Sequence, residues 1–346
     1  MGRVIGAVPS GWSVVELQLR EFGRDDAASI ATYVAITNQC LTHDAPFWHP
    51  TTVFRQQMQM THGWDGEVGR YFLVDVDGAE QPVGMVGLHT SNYDNLDQSW
   101  VEVVVHPHHR RRGIGTAAQR AAFDEARAMG RTKVGWFGWD NEQTRGFAAA
   151  TGFEPKSVAV LRRQHLHQLE PGLADRVYAE AAPHARDYEL LRITVPTPEE
   201  LIPALTAATA AINDAPLDDL ELEDEVFTPE RTRAFEKAHL ASDFRVYRVL
   251  ARHRASGELS GLTVVSVDGE TPAIGHQLDT SVVTAHRGHR LGLLLKADMM
   301  RWLAETEPQL RTVDTFNAES NDHMVGVNER LGYRVMAREL QYQGPL

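Results

Sequence analysis

Val105-His106-Pro107-His108-His109-Arg110-Arg111-Arg112-Gly113-Ile114-Gly115-Thr116 decides the fold of this chain. A second version lies 177 residues further on: Val282-Val283-Thr284-Ala285-His286-Arg287-Gly288-His289-Arg290-Leu291-Gly292. Each follows a run rich in β-branched residues and opens a segment with apolar residues at helical spacing. A strand that turns tightly into a helix leaves backbone N–H groups without partners, at the helix end that carries partial positive charge. Such a corner accepts a pyrophosphate, and glycine there permits close approach because it has no β-carbon.

The repetition extends well beyond the two turns. Strand-like runs at 71–75 and 82–88 flank an Asp77-Gly78 turn signal, and those at 244–251 and 259–265 flank Ser256-Gly257. Gly84 and Gly261 stand at matching places, again 177 apart. Runs at 100–105 and 277–283 lead into the glycine turns, and helical spacing follows over 116–129 and 291–304. Short apolar runs at 133–137 and 312–316 come next. Then Asn141 and Asn321 each precede by eleven residues a Gly-aromatic pair, Gly152-Phe153 and Gly332-Tyr333. Upstream, 14–19 and 188–195 read as opening strands, with helical segments near 25–37 and 198–211, then 52–62 and 229–241. Repeats this long indicate duplication of a whole domain. The order implies an α/β fold with a mixed sheet and helices on both faces. One domain is expected over 1–170, a linker over 171–186 and a second domain over 187–346. The cradle then falls at the carboxyl end of a middle strand, where open α/β sheets hold ligands.

Composition narrows the function classes. With 346 residues, 42% hydrophobic and 23% charged, the chain can bury two cores. No apolar run approaches the roughly 20 residues that cross a bilayer. The first residues lack a basic segment followed by an apolar one, so no secretion signal is expected. Cys40 is the only cysteine, which excludes an intramolecular disulfide and suits a reducing cytoplasm. A net charge of −13, from 47 acidic and 34 basic residues, disfavours general nucleic-acid binding and suits a cationic substrate such as an amine. The acidic run at 218–225 reads as a solvated loop or as a lip that attracts such a substrate. His106, His108 and His109 stand beside three arginines, whose repulsion argues against a metal there.

The two turns resemble the signature of the GNAT superfamily, the Gcn5-related N-acyltransferases: Arg or Gln, two residues, Gly, one residue, then Gly or Ala. Arg110-Arg111-Arg112-Gly113-Ile114-Gly115 fills that pattern, and Arg287-Gly288-His289-Arg290-Leu291-Gly292 fills it except that Arg290 replaces the first glycine. The meander, helix, Asn turn and Gly-aromatic pair follow in the family's order twice. The resemblance therefore covers nearly the whole chain, as two tandem GNAT-like domains. It implies acetyl-CoA in a cleft between two splayed strands. The pantetheine arm would run along Val103, Val104 and Val105, with the pyrophosphate on Arg110, Arg111, Arg112, Gly113, Ile114, Gly115 and Thr116. In the second half the implied residues are Val282, Arg287, Gly288, His289, Arg290, Leu291 and Gly292. Arg290 adds a β-carbon at the turn, while its guanidinium offers a grip on phosphate. Asn141 and Asn321 are expected to cap helices, with a cofactor contact as the alternative.

Acyl transfer to an amine needs an unprotonated nucleophile, yet a free alkylamine titrates near pH ~10. A base must take that proton. Glu102 lies eight residues before Arg110, and Asp279 eight before Arg287, so both are expected at one register beside the thioester. The alternative is a strand-end carboxylate facing solvent or an arginine. Relatives often carry a tyrosine four residues before the Gly-aromatic pair to protonate the leaving thiolate. Ala148 and Asn328 stand there instead, and a thiol of pKa near ~8.5 can leave as thiolate. Tyr93, Tyr333 and Tyr342 are candidates to replace it. Arg162, Arg163, His165 and His167 read as one exposed face of a late strand.

The expectation is a cytoplasmic N-acetyltransferase that moves acetyl from acetyl-CoA to a small-molecule primary amine by direct attack in a ternary complex. It would use no metal, nucleic acid or membrane, and act as a monomer or homodimer, with the first half favoured for cofactor binding. Rival readings are a protein or peptide N-acetyltransferase, a silent acyl-CoA-binding sensor, and a dinucleotide oxidoreductase. The last lacks the G-x-G-x-x-G spacing and its acidic residue about twenty positions on.

Overall fold

A computed structural model describes residues 16–346, so residues 14 and 15 of the expected opening strand lie outside the described residues. Two compact units emerge. Unit 1 runs to Val158 and adds Asp219–Glu223 and Glu339–Leu346; unit 2 holds Ala159–Asp218 and Asp224–Arg338.

Unit 1 contains β1 (Leu17–Phe22), α1 (Ala27–Asp44), α2 (Val53–His62), β2 (Arg70–Val76), β3 (Gly84–His89), β4 (Gln98–Val105), α3 (Ile114–Ala128), β5 (Lys133–Trp139) and α4 (Glu142–Thr151). Its sheet has the order β1-β2-β3-β4-β5-β12, where β12 (Tyr333–Pro345) supplies its residues from Glu339 onward. Neighbours are antiparallel except β4 and β5, which run parallel. Side chains alternate across this sheet as the two-residue period demands. Phe72, Val74, Val86, Leu88 and Val101 pack with Ile114, Ala118, Ala122 and Phe123 of α3. Tyr71, Leu73 and Met85 pack with Ile30, Tyr33, Ile36 and Cys40 of α1. The expected helix at 25–37 continues to Asp44 because Cys40 keeps it on the core.

Unit 2 repeats the plan with α5 (Leu173–Ala181), β7 (Tyr188–Thr194), α6 (Ile202–Thr209), α7 (Pro229–Ala241), β8 (Phe244–His253), β9 (Leu259–Asp268), β10 (Ile274–Val282), α8 (Leu291–Thr306), β11 (Thr312–Ala318) and α9 (Asp322–Arg330). Its sheet has the order β7-β8-β9-β10-β11-β6, with β6 (Pro155–His165) drawn from the first sequence repeat. The sequence repeats and the compact units are thus divided at different places. Each sheet takes its sixth strand from the other repeat: Trp139 faces Glu339, and Thr312 faces His165. Repetition of residue pattern cannot reveal such an exchange, because an exchanged strand has the same pattern as a retained one.

One local expectation is corrected. Arg162 and Arg163 are buried, not exposed, because β6 pairs with β11 along its length. Arg163 forms a fork on Asp314 with contacts of 2.6 and 2.7 Å. Part of the acidic run is exposed yet fastened to unit 1. The Glu221 N–H donates to Gln343 at 2.7 Å and the Glu223 N–H to Asn95 at 2.9 Å.

Candidate active site

The cradle of unit 1 begins where β4 ends. A short 3-10 turn over Pro107–His109 carries the chain to Arg111 and Gly113, both left-handed with φ of 59° and 80°. Gly113 is the N-cap of α3 and supplies no side-chain bond, so the first N–H groups, of Ile114, Gly115 and Thr116, have no cap. By contrast α1, α2 and α4 are capped by Asp26, Thr52 and Asn141. Unit 2 builds the same corner with Thr284–His286, then Gly288 at φ 87° and Arg290 at φ 56°, before the uncapped α8. Each cradle therefore holds one glycine and one arginine in left-handed backbone, two residues apart and in opposite order.

The leading arginine of each motif is a brace. Arg110 Nε donates to the Val105 carbonyl at 2.8 Å, and its two terminal nitrogens fork onto Asp44 at 2.7 and 2.6 Å. Arg287 makes a similar brace without the fork: Nε donates to the Val282 carbonyl at 3.1 Å and one terminal nitrogen to Asp214 at 2.5 Å. Arg111 and Arg112 are exposed and make no ion pair among the described residues. Arg290 is engaged by Glu180 at 2.7 Å. His289 and Gly288 are exposed, and Leu291 and Gly292 are buried at the start of α8. A β-carbon on Gly115 would touch the Phe147 ring at 3.3 Å, whereas one on Gly292 would meet nothing within 4 Å.

Both parallel strand pairs splay. β4 and β5 pair only over Gln98–Trp100 against 133–135, and β10 and β11 only over 274–276 against 312–314. Beyond those points Val103, Val104 and Val105 have no partner on the β5 side, which leaves the edge of β4 open to a ligand.

Glu102 stands at that parting, opposite Gly87 of β3. Its carboxyl is packed around closely while keeping some surface, and burial pushes its pKa up to about 7. It has no ion pair among the described residues. Asp279 differs. It lies in a β-bulge, where Leu278 and Asp279 together oppose Val264, so the two acids do not share one register. Burial raises the pKa of Asp279, and the Arg248 guanidinium opposes that rise. Arg248 is buried and bonded to Glu236 and to Thr197, the latter at 2.6 Å.

The asparagines act as helix caps. Asn141 accepts from the Thr144 N–H at 2.8 Å and Asn321 from the Met324 N–H at 3.1 Å. Ala148 and Asn328 are both buried at the positions that lack tyrosine. Tyr342 stacks on Trp136 with ring centres 4.0 Å apart, and Tyr93 is exposed. Two groups escaped the sequence reading. Glu339 reaches unit 1 from the last strand, and Lys296 is buried within α8. A lysine inside the apolar run from Leu291 to Met300 was the available signal for the second. Among the described residues no cluster of three His, Cys, Asp or Glu is placed to hold a metal, and no helix is long and apolar enough to cross a membrane.

Residues 36–153 match the model of the acetyltransferase (GNAT) family. The chain therefore has the fold of a tandem GNAT protein, with the family match confined to residues 36–153. It is similar to a mycothiol acetyltransferase of Parafrankia sp., with 27% identity over 285 residues that cover 78% of this chain and 84% of the relative. A mycothiol acetyltransferase of Mycobacterium avium is 40% identical over 98 residues, 27% of this chain and 29% of the relative. The fold matches that of a tandem GNAT protein from the clavulanic acid biosynthesis pathway. The TM-score is 0.77 at 24% identity, with 95% of this chain and 98% of the other covered. The GNAT match falls within unit 1, where the unpaired acid stands.

Proposed function

We propose that unit 1 moves an acetyl group from acetyl-CoA to a primary amine of a small molecule, by direct attack in a ternary complex, with Glu102 as base. The observation that carries this reading is Glu102 itself, a packed carboxyl without a cationic partner, titrating at about 7 where the strands part. A base with that pKa is matched to neutral pH: enough of it is ionised to accept a proton, and the proton is held firmly once taken.

The cradle fits a pyrophosphate. Uncapped N–H groups at Ile114, Gly115 and Thr116 point out of α3, and Arg111 and Arg112 add positive charge without internal partners. The Arg110 fork on Asp44 holds the turn to α1, so the corner is formed before a ligand arrives. The free edge at Val103, Val104 and Val105 offers N–H and C=O groups to an amide-bearing arm. Acetyl-CoA, when bound there, supplies the activated acetyl group. On the acceptor side Phe47 and Trp48 of the loop after α1 reach Trp139 at 5.0 and 5.8 Å between ring centres. Those walls favour a small molecule over an extended peptide.

Unit 2 keeps the second cradle, and Gly292 leaves its floor open, but Asp279 faces a buried arginine network. That favours cofactor binding or packing over chemistry for unit 2. The test is CoA release from acetyl-CoA with a panel of primary amines. Glu102→Gln is expected to lower turnover by roughly 10²–10⁴-fold at unchanged acetyl-CoA affinity, while Asp279→Asn changes it little. Full turnover in Glu102→Gln removes the proposal.

A further inference from the structure

We propose that unit 1 selects an acceptor with two amino groups: Glu102 serves the one that reacts, and Glu339 of the last strand holds the other as an ammonium. This deepens the reading of unit 1 as an amine acetyltransferase, and it rests on strand register first. Trp100 pairs with Gly135, and a β-carbon on Gly135 would strike the Trp100 ring at 2.6 Å, so both present the same face. By alternation Glu102 shares that face on β4, and Phe137 and Trp139 share it on β5. Glu339 pairs with Trp139, and Gln341 pairs with Phe137, so they share it too. Two carboxylates therefore flank a row of aromatic side chains, on strands separated by β5. With strands about 4.8 Å apart, the two backbones lie at least about 10 Å from each other.

Neither carboxylate has a cationic partner among the described residues. Burial pushes Glu339 up to about 7, with the charge of Glu102 adding to the rise, while a bond from Gln341 works against it. The surroundings of Glu102 hold tyrosine hydroxyls but no cation among the described residues. Tyr71, Gly87 and Glu102 stand in one register row across three strands. Gly87 has no side chain, and the Tyr33 hydroxyl lies 3.5 Å from where its β-carbon would be. The Tyr71 hydroxyl is buried beside the side-chain amides of Gln56 and Gln59 and lies within electrostatic reach of Glu102. Two packed carboxyls without a cationic partner are costly in isolation.

A diamine answers each of these features. Its reacting nitrogen brings N–H donors to Glu102 and the Tyr71 row, and its distal ammonium meets Glu339. The alkyl spacer lies on Phe137, which is 47% exposed, and on Trp139, whose ring faces favour a nearby cation. A monoamine satisfies only the first carboxylate.

The experiment is calorimetric titration of the full chain with 1,5-diaminopentane and with pentylamine, for wild type, Glu339→Gln and Glu339→Asp. Wild type is expected to bind the diamine at least tenfold more tightly. Glu339→Gln should erase that preference by weakening the diamine selectively, and Glu339→Asp should restore part of it. In turnover, the ratio of kcat/KM for diamine over monoamine should fall by the same tenfold. Equal affinity of wild type for the two amines overturns the proposal, whether or not either is acetylated. So does a Glu339→Gln variant that weakens both amines alike, which marks a structural role. Acetylation of monoamines without diamine preference would overturn this inference and leave the role of Glu102 standing.

Discussion

Lys296 Nζ donates to Asn328 Oδ1 at 2.6 Å within unit 2, with no carboxylate partner among the described residues. Asn328 passes the chain on by donating to Asn317 at 2.6 Å, and the ammonium position lies 4.7 Å from the centre of the Tyr333 ring. Burial lowers the pKa of Lys296 to about 7 from the usual 10.5. The folded state therefore resists protonation that the unfolded chain accepts. Above pH 10.5 the amine is neutral in both states and costs nothing. As pH falls toward 7 the penalty grows, and below 7 it is constant. Lys296→Met is expected to stabilise unit 2 by a few kcal/mol, on the order of 2–5, at pH 7, and by little at pH 10.5. Urea unfolding of wild type and variant across pH 6 to 10.5 reads this, and a pH-independent difference would refute it.

Glu102 gives the opposite slope. Its folded pKa of about 7 exceeds the usual 4.5, so the folded state holds a proton that the unfolded chain releases. That contribution is fully present below pH 4.5 and is lost as pH rises through 7. Glu102→Gln should thus be more stable than wild type above pH 7 by about 1–3 kcal/mol, even as it loses activity. The rate of wild type should rise through pH 7 as the carboxyl ionises, and melting curves together with a pH–rate profile check both halves of the statement.

The duplicated plan was legible because its signals are local. Gly113 and Gly152 both adopt the left-handed backbone that only a turn needs, Asn141 and Asn321 cap helices, and the two strand-to-helix corners can be read from their own residues. The role of Arg110 was not legible. Its partner Asp44 lies 66 residues away, so only the folded chain shows that the guanidinium braces the turn. Glu339 was hidden for the same reason in stronger form, since pairing with Trp139 spans 200 residues of sequence. The bulge that sets Asp279 apart from Glu102 is a matter of one residue in register, which equal spacing to the two arginines conceals.

Because Arg110 and Asp44 are each about a quarter exposed, their fork should matter more for the shape of the cradle than for global stability. Asp44→Ala is expected to weaken acetyl-CoA binding by roughly tenfold while leaving the melting temperature within a few degrees. Arg110→Lys should weaken it nearly as much, because a lysine cannot hold the carboxylate in a fork and reach the Val105 carbonyl together. Titration of acetyl-CoA against both variants measures this, and unchanged affinity in both would show that the corner holds its form without the brace.

Arg290 carries a testable strain. Its φ of 56° places a side chain in backbone that favours glycine, at a cost of about 1–2 kcal/mol. The compensation visible in unit 2 is the exposed pair with Glu180, which also has Arg330 at 2.5 Å and so does not depend on Arg290. Exposed pairs of this kind contribute about 0–1 kcal/mol. Arg290→Gly should therefore raise stability by about 0.5–1 kcal/mol. Acetyl-CoA affinity measured on the same variant, with the unit 1 cradle blocked by Gly113→Trp, separates the two possible reasons for an arginine here. If affinity holds, the side chain is a tolerated strain; if it falls by tenfold or more, the guanidinium grips a phosphate and the strained backbone is retained for that contact.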